Sequence, residues 1–329
     1  MPARVNGAET RIKVLYIAGS GRSGSTVLGR TLGQLDGFFS VGELSNLWDR
    51  GLLAHRKCGC GVPVSRCPTW TAVLAHGFGG VDEADAKRVV ALRGRRVRVR
   101  YIPAVLLTRW RGRSREGDEF LRVLDRLYRA VQQGTGCRVI VDSSKAPLYG
   151  ELLAAIPVID LHVVHLMRDP RATAYSWLRS KRLPDFGDER LMQRQRPLKS
   201  SILWTLWQTM SELLLSRPPA RYLRLRYEDF IRDPEAVVRR IVALVGEDPP
   251  ALPFVSPRAV RLAADHSVSG NPNRFATGTV ELRPDSEWAQ SLRAADRALV
   301  TAVTWPLLLR YRYPLRRRRA AALSRHPRG

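Results

Sequence analysis

The chain has little cysteine, little lysine and no long apolar run. Four cysteines in 329 residues are too few to staple a fold of this size, so a disulfide scaffold is excluded and the core must come from packing. No uninterrupted stretch of about 18 apolar residues occurs, which argues against a membrane-spanning helix. Residues 1–13 are polar and lack the apolar segment of a signal peptide, so a cytoplasmic location is expected. Only six of the 55 basic residues are lysines, and with 30 acidic residues the formal net charge is +25. So strong an arginine bias can also follow from genome composition. The charge therefore speaks for anionic ligands or surfaces rather than for nucleic acid, since the arginines are scattered and no recognition motif accompanies them. The hydrophobic share of 44% is that of an ordinary globular protein, and the expected organisation is a single domain over residues 1–329 with inserts.

One missing lysine narrows the chemistry further. Val14-Leu15-Tyr16-Ile17-Ala18 reads as a buried strand, and Thr26 to Leu32 resumes a helical rhythm. Between them stand Gly19, Gly21 and Gly24, interleaved with Ser20, Arg22, Ser23 and Ser25. A strand, a glycine loop and a helix N-terminus together form a phosphate cradle: the backbone comes close, amides point inward and the helix dipole favours an anion. The Walker A pattern would require Lys after Gly24, but this chain has Ser25 and then Thr26. The nearest cation is Arg22. The loop is thus expected to hold a phosphate without the lysine of a nucleoside triphosphatase, and a bare structural turn is the alternative.

Further along, Arg138 to Asp142, Leu161 to Leu166 and Tyr222 to Tyr227 read as strands, each with a polar tip and then a helix. This pattern predicts an α/β, P-loop-type three-layer fold: a central, mainly parallel sheet flanked by helices, with its site at the C-terminal strand ends. Residues 82–133 read as a helical, arginine-rich insert that caps the site, and residues 310–329 as a basic, flexible tail suited to acidic lipid. Glu43, just after Gly42 and close to the phosphate loop, is a candidate base or a capping carboxylate. Cys58, Cys60 and Cys67 supply three thiols, with His55 or His76 as candidate fourth zinc ligand. A loop of free or loosely paired thiols is the favoured reading of that cluster, because zinc usually takes four ligands in paired spacing. His165 and His266 read as structural.

With these residues in hand, the chain resembles the sulfotransferases that use 3'-phosphoadenosine 5'-phosphosulfate (PAPS), in a bacterial branch near the carbohydrate sulfotransferases. Gly19 to Thr26 resembles the family's 5'-phosphosulfate loop, and Arg168-Asp-Pro-Arg-Ala with Ser176 its 3'-phosphate motif. Tyr227-Glu-Asp-Phe with Asp233-Pro234 resembles the strand and helix that follow, and Gly270-Asn-Pro-x-Arg274 a late nucleotide-contact loop. Cys-Gly-Cys-Gly…Cys and Asp142-Ser-Ser-Lys145 also resemble this branch. The resemblance implies donor binding by Gly21, Arg22, Ser23, Gly24, Ser25 and Thr26 at the 5' end. It implies Arg168 and Ser176 at the 3'-phosphate, Tyr227 at adenine, and Asn271 with Arg274 at the 3'-phosphate end. Two helical turns rise about 12 Å, so Ser176 meets Arg168 at one phosphate only if the chain folds back. An acceptor hydroxyl, on a carbohydrate, a lipid-linked molecule or a secondary metabolite, would attack sulfur in line. That reaction needs a base and neutralisation of growing charge, but no metal. The cytosolic members have Lys in the first loop and a His base after the second strand. This chain has Arg22 and Asp142-Ser143-Ser144-Lys145 there. The resemblance to bacterial and carbohydrate-type members implies Glu43 as the base, with Asp142 in reserve, and Arg22 and Lys145 assisting at the sulfuryl oxygens. A P-loop kinase using ATP and Mg²⁺ is the alternative reading, and a basic nucleic-acid-binding protein a third.

Overall fold

The computed structural model describes residues 11–97, 118–180, 182–185, 190–249 and 251–315. Five parallel strands form the central sheet in the order β2-β3-β1-β4-β5. They are β1 (Ile12–Gly19), β2 (Phe38–Gly42), β3 (Val139–Lys145), β4 (Ile159–Met167) and β5 (Tyr222–Arg226). A small antiparallel sheet, β6 (Phe254–Ser256), β7 (Ala259–Leu262) and β8 (Gly278–Glu281), lies beside it. The helices are α1 (Ser25–Leu32), α2 (Pro68–Phe78), α3 (Glu83–Gly94), α4 (Glu119–Thr135), α5 (Pro147–Ala154), α6 (Pro170–Leu178), α7 (Pro197–Leu215), α8 (Tyr227–Arg232), α9 (Pro234–Leu244), α10 (Trp288–Ser291) and α11 (Ala294–Arg310).

The continuous apolar run of β1 follows from burial on both faces. Ile12, Val14, Tyr16 and Ala18 enter one core with Trp70, Leu127, Tyr128, Val131 and Leu153. Leu15 and Ile17 enter the other with Leu28, Leu32, Val164, Phe230, Val238 and Ile241. The sheet is thus the middle of three layers. Helices α2, α5, α6, α7 and α9 each carry Pro in the first turn, where its fixed φ suits the helix and its missing N–H costs no bond. Asp169 and Asp233 cap α6 and α9 by accepting from the Arg171 and Ala236 amides.

One expected feature changes here. The second half of the expected insert is a core helix: α4 buries Phe120, Leu124, Leu127, Tyr128 and Val131 against the sheet layer. Among the described residues of the insert, α3 is the part that lies over the site, where Arg93 pairs with Asp49 at 2.7 Å and donates to the Ser45 carbonyl. The Arg98 to Arg115 run and the tail from Arg316 onward lie outside the described residues.

Candidate active site

The C-terminal ends of β1, β3 and β4 meet at the point where the sheet runs out in both directions from β1. In open α/β sheets this is where ligands bind. The loop after β1 needs two of its glycines for steric reasons. Gly19 has φ +134°, and a Cβ there would stand 2.3 Å from the Leu166 carbonyl oxygen. Gly24 has φ +92°, and a Cβ would stand 2.3 Å from the Tyr227 ring. The Tyr227 ring therefore packs against the start of α1, and the Arg168 guanidinium lies over it, 4.8 Å from the ring centroid.

Arg22 sits between these glycines in a left-handed conformation (φ 66°), uncommon for a residue with a Cβ. Its guanidinium lies over Trp177, 4.7 Å from the centroid. Its three side-chain nitrogens are buried and without a hydrogen-bond partner, and so is the Ser23 hydroxyl. Burial lowers the proton affinity of Arg22; Glu43 opposes that shift and Arg168 adds to it. A strained, desolvated cation without an anion beside an orphaned hydroxyl is a site that fits an anionic group. Arg168 ties this loop to β4 by donating to the Arg22 carbonyl at 2.9 Å, and its other arm pairs with Asp285. Asp169 is engaged by Arg171 instead, at 2.7 Å. Ser176 is buried on α6, and no hydrogen bond joins it to Arg168 among the described residues.

Glu43 and Lys145 form the second half of the site. Lys145 Nζ donates to Glu43 Oε1 at 2.5 Å and to the Ser143 carbonyl at 3.0 Å. Glu43 Oε2 accepts from Asn46 at 2.8 Å, with Arg50 at 3.6 Å. Burial pushes the Glu43 carboxyl up, but Lys145, followed by Arg50 and Arg274, outweighs burial and leaves it below the ordinary carboxylate value. Both residues line a cavity of about 370 Å³, whose wall also includes Ser20, Gly21, Arg93, Trp177 and Trp207. Asp142, the other candidate base, is fully buried outside that wall. It accepts from the Tyr128 hydroxyl and from the Ser144 amide at 2.7 Å, and burial pushes its pKa up to about 6. Of the two carboxylates, Glu43 is the one that lines the cavity. His165 lies on β4 away from that cavity wall: burial lowers its pKa to about 4, and Tyr222 and Gln208 engage its two nitrogens.

The late loop docks on the first one. The Asn271 amide donates to Thr26 Oγ1 at 3.2 Å, and Gly270 lies against Thr26 and Glu43. Arg274, expected at a phosphate, is engaged within the fold. It is fully buried, pairs with Asp185 and donates to the Lys57 carbonyl at 2.8 Å, so its charge is already matched within the fold. Asn271 likewise spends its side chain capping the turn at Asn273.

The residue that sequence reasoning missed is Arg30. One turn after Thr26 on α1 and 2% exposed, it pairs with Asp265 at 2.7 Å and donates to the carbonyls of Ala263, Asn273 and Ala276. It thereby fastens the whole 263–276 segment to the phosphate-loop helix. The only sequence signal was its position four after Thr26, on the same helix face. Replacing Arg30 with Ala leaves a partly buried carboxylate and several carbonyls unpaired. Denaturant titration of Arg30→Ala is expected to show a loss of about 3–5 kcal/mol. Lys at position 30 should recover little of it, because a point charge cannot make the fork of contacts. A loss under about 1 kcal/mol would remove Arg30 from this role.

Neither expected zinc partner approaches the thiols. His76 is engaged with Gln133 at 2.6 Å, and His55 is exposed. The imidazole beside Cys67 belongs to His266.

A glycine loop and a cavity at the C-terminal edge of a five-stranded parallel sheet define an α/β fold of the P-loop-like class. A profile of the sulfotransferase family matches residues 15–250, and the chain belongs to that family. Two solved structures share its fold. The sulfotransferase domain from the Synechococcus PCC 7002 olefin synthase is 19% identical, with 92% of this chain and 96% of that one covered at a TM-score of 0.50. The sulfotransferase domain from the curacin biosynthetic pathway is 16% identical, with 92% and 99% covered at a TM-score of 0.51. No protein of curated function matches the sequence. The protein is therefore a sulfotransferase, an enzyme of sulfuryl transfer that takes an acceptor substrate. Among the described residues, no helix is long and apolar enough to cross a membrane.

Proposed function

We propose that the chain moves the sulfuryl group of PAPS to a hydroxyl of a carbohydrate, lipid-linked or secondary-metabolite acceptor, in the reducing cytoplasm that its four unpaired cysteines suit. The observation that carries this reading is the unpartnered Arg22 guanidinium beside the orphaned Ser23 hydroxyl on a glycine loop. A cation without a counter-ion, held at the start of a helix, calls for an anion rather than for a metal-bound triphosphate chelated by lysine. Arg22, the amides of residues 21–26 and the Ser23 hydroxyl would hold the 5' end, and Arg168 would exchange Asp285 for the 3'-phosphate.

When bound, the donor supplies the sulfuryl group and a phosphate leaving group. Glu43 would take the acceptor hydroxyl proton as that oxygen attacks sulfur, while Arg22 and Lys145 neutralise charge on the departing side. Lys145 links the two halves of the site. An anion that draws its ammonium away removes the leading group that depresses the Glu43 carboxyl and leaves only Arg50 and Arg274 against burial. Donor binding thus raises the basicity of Glu43 when a base is needed.

The direct test is thermal stabilisation by adenosine 3',5'-bisphosphate, set against ATP with Mg²⁺, for the natural chain and Arg168→Ala. At about 100 times Kd a ligand of the folded state adds about 2.7 kcal/mol of stability. The bisphosphate is expected to raise Tm in the natural chain, with most of that rise lost in Arg168→Ala. A response to ATP–Mg²⁺ alone would replace this reading with a kinase.

A further inference from the structure

Away from the phosphate loop and the cavity, the fold gathers four soft ligand atoms that the reaction does not use. The sulfurs of Cys58, Cys60 and Cys67 and a ring nitrogen of His266 all lie within 4.8 Å of one another. Cys60 Sγ stands 3.7 Å from Cys67 Sγ, and His266 Nδ1 stands 3.3 Å from Cys67 Sγ and 3.9 Å from Cys58 Sγ. With Zn–S near 2.3 Å and Zn–N near 2.0–2.1 Å, a regular tetrahedron has S···S edges of about 3.8 Å and S···N edges of about 3.5 Å. The three spacings lie within about 0.4 Å of those edges. They are too long for a disulfide, whose sulfurs are about 2.05 Å apart, and all four cysteines of the chain are unpaired.

The protein's own hydrogen bonds hold these ligands in place. Cys58 and Cys60 sit on a tight turn in which the Gly61 amide donates to the Cys58 carbonyl at 2.8 Å and the Cys58 amide donates to the Val62 carbonyl at 2.7 Å. Cys67 is the N-cap of α2. His266 is fixed by its carbonyl, which accepts from Trp70 Nε1 at 2.7 Å, and by the Phe39 ring stacked on it. Gly59 is pressed so closely on the second segment that a Cβ would lie 2.1 Å from Asp265 Oδ1.

We infer that Cys58, Cys60, Cys67 and His266 bind one Zn²⁺ as a closed structural site. Three thiolates and an imidazole suit zinc and reject the hard cations magnesium and calcium. Four protein ligands, with Cys58 and Cys67 buried, leave no open position for a substrate or water, which separates a structural from a catalytic zinc. Binding releases the thiol protons to solvent, and no electron is transferred. Cys58 and His266 are 208 positions apart, so the ion joins the loop after β2 to the segment leading into the late loop. That segment also donates from the Val268 amide to the Val41 carbonyl at 3.0 Å, two residues before Glu43. The zinc would therefore act from outside the active site, holding Gly270 against Thr26 and Glu43.

The test needs no acceptor and no activity. The full chain, purified without a histidine tag under reducing conditions, is expected to carry one zinc per molecule by elemental analysis. Replacing it with Co²⁺ should give the thiolate-to-cobalt charge-transfer bands and the intense d–d bands of tetrahedral coordination. Cys60→Ser and His266→Ala should lose stoichiometric metal, His266→Cys should keep it, and Cys137→Ser should be unaffected. His266→Cys and the natural chain keep the test decisive even where a variant does not fold. A reduced natural chain that is free of metal and takes up neither Zn²⁺ nor Co²⁺ would overturn the inference. So would a different stoichiometric metal, or two unreactive thiols in denaturant with chelator, the mark of a disulfide.

Discussion

Arg22→Gly is expected to abolish the thermal response to adenosine 3',5'-bisphosphate and to lower kcat/KM by about 10²–10³, the usual cost of removing one preorganised donor to developing charge. The same substitution should leave the ligand-free protein within about 1 kcal/mol of the natural chain. The second half of the expectation gives the experiment its force. Arg22 is held at φ 66° and makes no side-chain hydrogen bond, so the unliganded fold gains little from its charge. Glycine relieves the left-handed backbone and the desolvated cation. What it removes is the stacking on Trp177, worth about 0.5–2 kcal/mol. A residue kept for packing would behave the other way: its loss would lower Tm and leave any ligand response in place. Arg22→Lys should restore part of the response, since it keeps a charge but not the planar fork. Denaturant melts without ligand, read beside thermal shifts with it, separate the two cases. A variant that is much less stable yet still responds would make Arg22 structural.

The phosphate loop was legible because its evidence is local. Strand, glycines, hydroxyls and helix occupy consecutive positions, and the steric needs of Gly19 and Gly24 surface as their identity. The sheet was legible for the same reason, since apolar runs followed by polar tips are properties of short windows. What could not be read were partners chosen by the fold. The motif around Arg274 carries no sign of its buried partner Asp185, which stands 89 positions away in a polar stretch with no pattern of its own. Arg30 looked like an ordinary basic residue on α1 until the 263–276 segment was seen to lie across it. His266 stands 208 positions from Cys58, beyond any ligand spacing that the local sequence displays, whereas His55 and His76 lie close to the thiols in sequence. Helix α4 shows an intermediate case: its apolar stripe announced a buried face, but the stripe carries no record of what it is buried against, and the neighbouring arginine run suggested a cap.

Glu43→Gln is expected to lower kcat by about 10²–10⁴ with little change in donor binding, because an amide keeps the volume but accepts no proton. Loss of activity alone would not distinguish a base from a partner that merely holds Lys145, so the decisive variant is Lys145→Met. Two opposing influences set the proton affinity of Glu43, burial raising it and Lys145 heading those that lower it. While Lys145 is present the carboxyl stays ionised well below neutrality. The acid limb of kcat/KM, which reports the free enzyme's base, should then fall below the ordinary carboxylate value of about 4.3. Removing the ammonium takes away the largest influence that opposes burial, so in Lys145→Met the limb should move up in pH, whatever the drop in its plateau. Stability should follow the same logic. Either single variant leaves a largely buried charge unpaired, at a cost of up to about 3–5 kcal/mol, whereas Glu43→Gln with Lys145→Met removes both charges and should recover much of the loss. If the limb stays in place in Lys145→Met while Glu43→Gln is inactive, Glu43 is a positioning residue. If Glu43→Gln retains full kcat, proton removal falls to another group, and Asp142 would have to reach the cavity from the buried network of Tyr128 and Ser144 that now holds it.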